Sequence, residues 1–132
     1  YPYYENVSAM AQDVDCLIVT CPLSETTRNL INAGVLKALG AGGFLVNVAR
    51  GAIVDEDALI AALQNGTIAG AALDVFRDEP QVPAALRAME NVVLAAHIGT
   101  STQEVRLTRH DMMLTDMRAW LAGQPLRYAV PL

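Results

Sequence analysis

The sequence predicts an α/β fold built from parallel βαβ units. Three observations carry that prediction. Short apolar runs with strand character alternate with segments of helical periodicity, in the order strand, helix, strand, helix, strand. The runs over residues 44–49, 69–73 and 92–96 are continuously apolar rather than alternating (Asn47 excepted), as expected of parallel strands covered on both faces. Arg50, Asp74 and His97 follow those runs directly, with Glu79 five positions beyond Asp74. All four therefore gather at the carboxyl edge of one sheet, where open α/β sheets bind ligands.

Taken in order, residues 7–12 read as a short helix leading into a strand over 15–20, which Pro22 closes because proline cannot continue a ladder. Residues 32–39 carry apolar side chains at helical spacing, and Gly40, Gly42 and Gly43 stop that helix. A strand over 44–48 follows, then Gly51, then a helix over 55–64. In that helix Leu59, Ile60 and Leu63 share a face, while Asp55, Glu56 and Asp57 favour the positive N-terminus. Asn65-Gly66 closes it. A strand over 68–75, a proline-bounded loop over 77–83, a short helix over 84–89 and a strand over 91–95 complete the pattern, joined by right-handed crossovers.

The last third differs. Residues 102–121 contain neither Gly nor Pro and place Met113, Met117, Trp120 and Leu121 on one face, with Leu114 at its edge. This predicts a helix of about 30 Å at 1.5 Å per residue, its methionine stripe packed in a core. Gly123 and Pro125 end it, and 127–132 is an extended tail.

Composition narrows the function. At 132 residues, 53% of them hydrophobic, the chain is about one domain with a real core. Its net charge of −5 and the lack of any Lys/Arg run speak against nucleic acid or an anionic membrane as partner. No apolar stretch approaches the roughly 18 residues of a spanning helix. Cys16 and Cys21 have no Cys/His neighbours at metal-binding spacing, so no metal is expected. They read as reduced intracellular thiols, with Cys16 packed in the core. The chain opens on Tyr1-Pro2-Tyr3-Tyr4 rather than Met, which reads as the middle of a longer protein.

The chemistry centres on His97, whose imidazole titrates near neutrality and suits general acid/base work. A carboxylate brought alongside, such as Glu79, favours the charged ring. Arg50 can grip a carboxylate bidentately and polarise an adjacent carbonyl. Taken singly, each has a plainer role: a structural histidine, a solvated glutamate, a capped turn.

Several separated motifs together resemble the D-2-hydroxyacid dehydrogenase family. They are Val46-Asn47-Val48-Ala49-Arg50-Gly51 with Val54-Asp55-Glu56, Gly70-Ala71-Ala72-Leu73-Asp74-Val75-Phe76 with Glu79-Pro80, His97-Ile98-Gly99-Thr100, and Cys21-Pro22-Leu23 followed by Glu25-Thr26-Thr27-Arg28. Ala69-Gly70-Ala71, Glu79-Pro80-Gln81-Val82-Pro83 and Ala119-Trp120 are most similar to the glyoxylate/hydroxypyruvate reductase branch. The resemblance implies the second half of a doubly wound, Rossmann-like parallel sheet over residues 1–100. Over 101–132 it implies the long helix and extended tail returning toward a substrate domain that lies upstream.

The same resemblance implies roles. Arg50 would bind the substrate carboxylate and keto oxygen, His97 would donate the proton, and Glu79 would be its partner. Asp74 would face the nicotinamide carboxamide, and Cys21, Pro22, Val48, Ala49, Gly99 and Thr100 would line the cofactor. The expected reaction is hydride transfer from NAD(P)H to a 2-keto acid, giving a D-2-hydroxy acid. NADP is favoured over NAD by the branch alone. A cytoplasmic homodimer is implied as well.

Two departures stand out. Ala96 occupies the place where the family usually has Pro before the histidine. The family's glycine-rich phosphate loop has no counterpart in the chain, so these 132 residues alone are expected to bind the dinucleotide weakly and turn over nothing. The competing expectation is a dinucleotide-sensing, corepressor-like binding module of the same fold, which a full Arg50–Glu79–His97 set disfavours. The formate dehydrogenase-like branch fits less well, because it pairs its histidine with Gln. His110 matches no family position and reads as a surface or interface residue.

Overall fold

A computed structural model describes residues 2–129, in two compact units, Tyr1–His97 and Ile98–Leu132. The first unit runs α1 (Val7–Gln12), β1 (Cys16–Val19), α2 (Ala33–Leu39), β2 (Phe44–Asn47), one turn of 3-10 helix (Gly51–Ile53), α3 (Glu56–Gln64), β3 (Gly70–Leu73), α4 (Ala84–Arg87) and β4 (Val92–Leu94). Its strands form one parallel sheet in the order β1-β2-β3-β4. Every element the sequence predicts in this unit is present; α1 has the predicted bounds and the others are shorter. Asn32 and Asp55 precede their helices as N-caps: the Asn32 side chain accepts the N–H groups of Gly34 and Val35, and Asp55 that of Ala58.

Register sorts the strand residues onto two faces. Leu17, Leu45, Ala71 and Val92 align in one row and Val19, Asn47, Leu73 and Leu94 in the next row on the same side. That side is buried or half-buried against a core that includes Ala11, Val35, Leu36, Leu39, Leu59 and Leu63. The opposite face is open. Ile18 is 58% exposed, Phe44 51% and Val93 69%.

This corrects two sequence expectations. The apolar runs are not covered on both faces, and Cys16 is exposed instead of packed in the core. The reason is topological: strands that step steadily across a sheet through crossovers of one hand place all their connecting helices on one side. The other side keeps the apolar composition of a buried parallel strand, with nothing among the described residues of this unit to cover it.

The second unit contains α5 (Gln103–Leu121), N-capped by the Thr102 hydroxyl, which accepts the N–H of Val105. Gly123, at φ +65, turns the chain out of the helix. The carboxylate of Asp116 then accepts the N–H groups of Arg127 and Tyr128. The methionine stripe is a further correction. No residue of α5 is buried, and Met113, Met117, Trp120 and Leu121 are all exposed, Trp120 to 72%. The stripe is formed, but the described residues of the second unit include no further helix or strand to face it. His110 is exposed, 3.8 Å from Asp111. Residues 130–132 of the predicted tail lie outside the described residues.

Candidate functional site

Because the four strands are parallel, the segments leaving them emerge at one edge: Thr20 to Pro22 after β1, Val48 to Arg50 after β2, Asp74 to Glu79 after β3, and Ala95 to His97 after β4. The side chains of His97 and Glu79 pair at this edge, with Nδ1 2.8 Å from Oε2. The other carboxylate oxygen, Oε1, accepts the backbone N–H of Phe76 at 3.0 Å. Glu79 is thus held at both oxygens, and the Glu79–Pro80 peptide is cis. The hydrogen bond to His97 and then that to Phe76 hold its carboxyl below the ordinary carboxylate range, against a smaller opposing effect of burial, and the charges of His97 and Arg50 add least. An ionised Glu79 can only accept, so Nδ1 carries the proton of this bond and Nε2 is left for other partners.

His97 has φ +53, in the left-handed region that non-glycine residues seldom occupy, although His is among those enriched there. Such a conformation costs about 1–3 kcal/mol and persists only where neighbours enforce it. Here the His97 N–H donates to the carbonyl of Asp74 at 2.8 Å. Asp74 in turn donates its N–H to the carbonyl of Asn47 at 3.0 Å and is itself buried. β2, β3 and β4 are therefore linked beyond their ladder ends, up to the imidazole.

Arg50 is positioned from beneath by Asn47. This fully buried amide donates from Nδ2 to the Arg50 carbonyl at 3.0 Å and accepts the Ala49 N–H at 3.1 Å. The Arg50 side chain is bonded back to the Ala49 carbonyl at 2.6 Å. It lines a cavity of about 480 Å³ with Thr20, Cys21, Pro22, Leu23, Val48 and Ala49. Glu79 and His97 line another, of about 380 Å³, with Phe76, Pro80, Val82 and Leu94 among its walls. Arg50 therefore lies in a cavity different from that of the His97–Glu79 pair and acts on Glu79 as a charge. Among the described residues no group of three or more His, Cys, Asp or Glu side chains could hold a metal ion.

Two residues of this edge gain parts that sequence reasoning missed. Asn47 is one, and a polar residue inside an apolar strand run was its signal. Glu56 is the other: the sequence places it at a helix N-terminus and within a family motif, yet it is buried and reaches Arg77, 21 residues on. Nothing in the spacing announces that contact. Gly99 and Thr100 follow Ile98, the first residue of the second unit.

Residues 1–99 match the family described as D-isomer specific 2-hydroxyacid dehydrogenase, NAD binding domain. The chain belongs to this family. Among curated relatives it is 47% identical over 126 residues to glyoxylate/hydroxypyruvate reductase A HPR2 of Arabidopsis thaliana, and 44% identical over 126 residues to hydroxyphenylpyruvate reductase of Plectranthus scutellarioides. Each match covers 96% of this chain and 40% of the relative. The chain thus spans about two fifths of the length of these relatives. The NADPH-dependent glyoxylate/hydroxypyruvate reductase of Sinorhizobium meliloti, solved with NADP and malonate, superposes with a TM-score of 0.87 at 42% identity. That alignment covers 99% of this chain and 44% of the other. Within the 2-hydroxyacid dehydrogenase family, the four-stranded parallel sheet is the expected Rossmann-like architecture.

Proposed function

We propose that this chain is part of an NAD(P)H-dependent reductase that converts a small 2-keto acid of the glyoxylate or hydroxypyruvate kind to a D-2-hydroxy acid. The observation that carries the reading is the His97–Glu79 pair at the carboxyl edge of the sheet, at 2.8 Å. With Nδ1–H committed to Glu79, His97 presents Nε2 and donates a proton to the keto oxygen. Glu79 fixes the ring's orientation and supports the positive charge on it. Arg50 binds the substrate carboxylate through its planar guanidinium and polarises the neighbouring carbonyl.

The cavity around Cys21, Pro22, Val48 and Ala49 fits a nicotinamide ring. Short side chains leave room for a planar group, and Arg50 supplies a cation on the wall. Cys21, Pro22, Val48, Ala49 and Asp74 would hold the dinucleotide; Gly99 and Thr100 take that role on the family motif alone. Once bound, the dinucleotide supplies the hydride. NADP is supported by the Sinorhizobium meliloti relative, whose structure holds it. A homodimer and a cytoplasmic location rest on the family resemblance. No helix among the described residues is long and apolar enough to cross a membrane.

Arg50→Lys in the native protein that carries this chain is the test. Lysine offers a point charge where the planar fork is needed. It should lower kcat/KM for glyoxylate or hydroxypyruvate by about 10²–10³ while dinucleotide affinity changes little. A variant with undiminished keto-acid reduction would remove Arg50 from the reaction. A native protein that binds dinucleotide and reduces no 2-keto acid would remove the enzyme reading altogether.

A further inference from the structure

Glu56 has more to do than its place in the first turn of α3 requires. An acidic side chain favours a helix N-terminus through its charge, and an exposed one serves as well. Yet Glu56 is only 6% exposed, and a buried carboxylate is costly unless hydrogen-bonded. Its Oε2 accepts the backbone N–H of Arg77 at 3.2 Å, and its Oε1 lies 3.7 Å from the Arg77 guanidinium.

The same peptide is gripped by a second residue. A Cβ on Gly51 would stand 2.0 Å from the carbonyl carbon and oxygen of Phe76 and 2.5 Å from the Arg77 nitrogen, so only glycine allows this approach. The Phe76–Arg77 peptide is therefore fixed by Gly51 and Glu56, both in the segment that follows Arg50. From that peptide the chain makes the turn in which the Phe76 N–H holds Glu79 Oε1, leaving Oε2 against His97. The exposed ion pairs of the Arg77 guanidinium, to Asp57 at 2.8 Å and Asp78 at 3.2 Å, are a separate feature of little energetic weight.

The geometry points to Glu56 as a positioning residue: by accepting the Arg77 backbone N–H, it fixes the turn from Phe76 to Glu79 and so holds the Glu79 carboxylate against His97. Its consequence for rate rests on the proposed function; the positioning itself does not.

The experiment compares Glu56→Ala, Glu56→Gln and Arg77→Ala. The Glu79 carboxyl is titrated by carbon-detected NMR, and keto-acid reduction is followed, both in the native protein. The charged or hydrogen-bonding groups that act on Glu79 are His97, the Phe76 N–H and Arg50. In Glu56→Ala the loosened turn should raise the Glu79 titration midpoint by about 0.5–1 pH unit, part of the 1–3 units that such partners confer. The kcat should fall about 10- to 100-fold with dinucleotide affinity unchanged. Glu56→Gln should restore both, since its carboxamide oxygen still accepts the N–H. Arg77→Ala should change neither, because the backbone donor remains.

An unmoved Glu79 midpoint in Glu56→Ala overturns the positioning role whatever the activity. So does an effect of Arg77→Ala as large as that of Glu56→Ala, which would assign the role to the guanidinium cluster. If the midpoint responds as expected while the native protein reduces no keto acid, the positioning stands and the enzyme reading falls. Should Glu56→Ala not fold, hydrogen exchange of the wild-type Arg77 amide decides. Exchange at least about tenfold slower than an unstructured amide supports the clamp, and unprotected exchange overturns it.

Discussion

α3 and α5 each carry apolar residues at helical spacing, and the structure treats them in opposite ways. α3 is 9 residues long and buries Leu59, Ala62 and Leu63; α5 is 19 residues long and buries nothing. The shorter helix lies beside α2 and shares the core of its unit, while the longer one has no facing helix or strand among the described residues of its own unit. Apolar periodicity thus specifies a helix and the stripe along it. Whether that stripe becomes core depends on a surface that the helix does not contain.

The largest expected effect puts that contrast to a direct test. Leu59→Ala, at a position 1% exposed, should cost about 2–5 kcal/mol in denaturant unfolding. Met117→Ala, at a position 56% exposed, should stay within about 0.5 kcal/mol. Equal losses would mean that the methionine stripe is covered in solution, and the comparison would break.

A middle-sized effect sharpens the comparison inside the site. Asn47→Ala strands the Arg50 carbonyl and the Ala49 N–H and should cost about 1–3 kcal/mol. Arg50→Ala, at an exposed side chain, should leave unfolding within about 0.5 kcal/mol. A costly Arg50→Ala would show that the guanidinium has a structural duty as well.

The smallest effect is acid-dependent and again separates the two units. Glu79 is held below its ordinary value of 4.5 first by His97, and Glu104, in the first turn of α5, first by its own backbone and then by the Thr102 side chain. A carboxyl whose folded value is depressed adds stability above its unfolded value, and that stability fades as pH falls through the folded value. Each should therefore contribute fully at neutrality and progressively less below about 4.5. Solvent screening keeps both contributions small. Thermal melts taken down through this range should show the wild type's advantage over Glu79→Gln shrinking in the melting of the whole sheet unit. For Glu104→Gln the same loss should appear only in the ellipticity of α5. A pH-independent gap in either case would mean that the carboxylate's charge contributes nothing.

Much of the site was legible before any coordinates. His97 and Glu79 could be paired from the motifs that carry them, and Arg50, Asp74 and His97 were placed at one edge by the apolar runs they follow. What the spacing could not show was how that edge is held: the left-handed backbone of His97, the buried amide of Asn47 beneath Arg50, and the grip of Glu56 on a peptide 21 residues away. These depend on which backbone groups lack partners at the ends of the ladder, and that is settled only when the strands are in register.

By itself the sequence determined the order of strands and helices, their breaks, and the family. Those follow from residue periodicity, from glycine and proline chemistry within a few positions, and from motifs. The tertiary structure decided which apolar residues are core. Crossovers of one hand put α2 and α3 on the same side of the sheet, so Leu17 is buried while its neighbours Cys16 and Ile18 are open, though all three read alike in the chain. Burial is a property of facing surfaces, and one strand's sequence does not record which of its faces another element will cover.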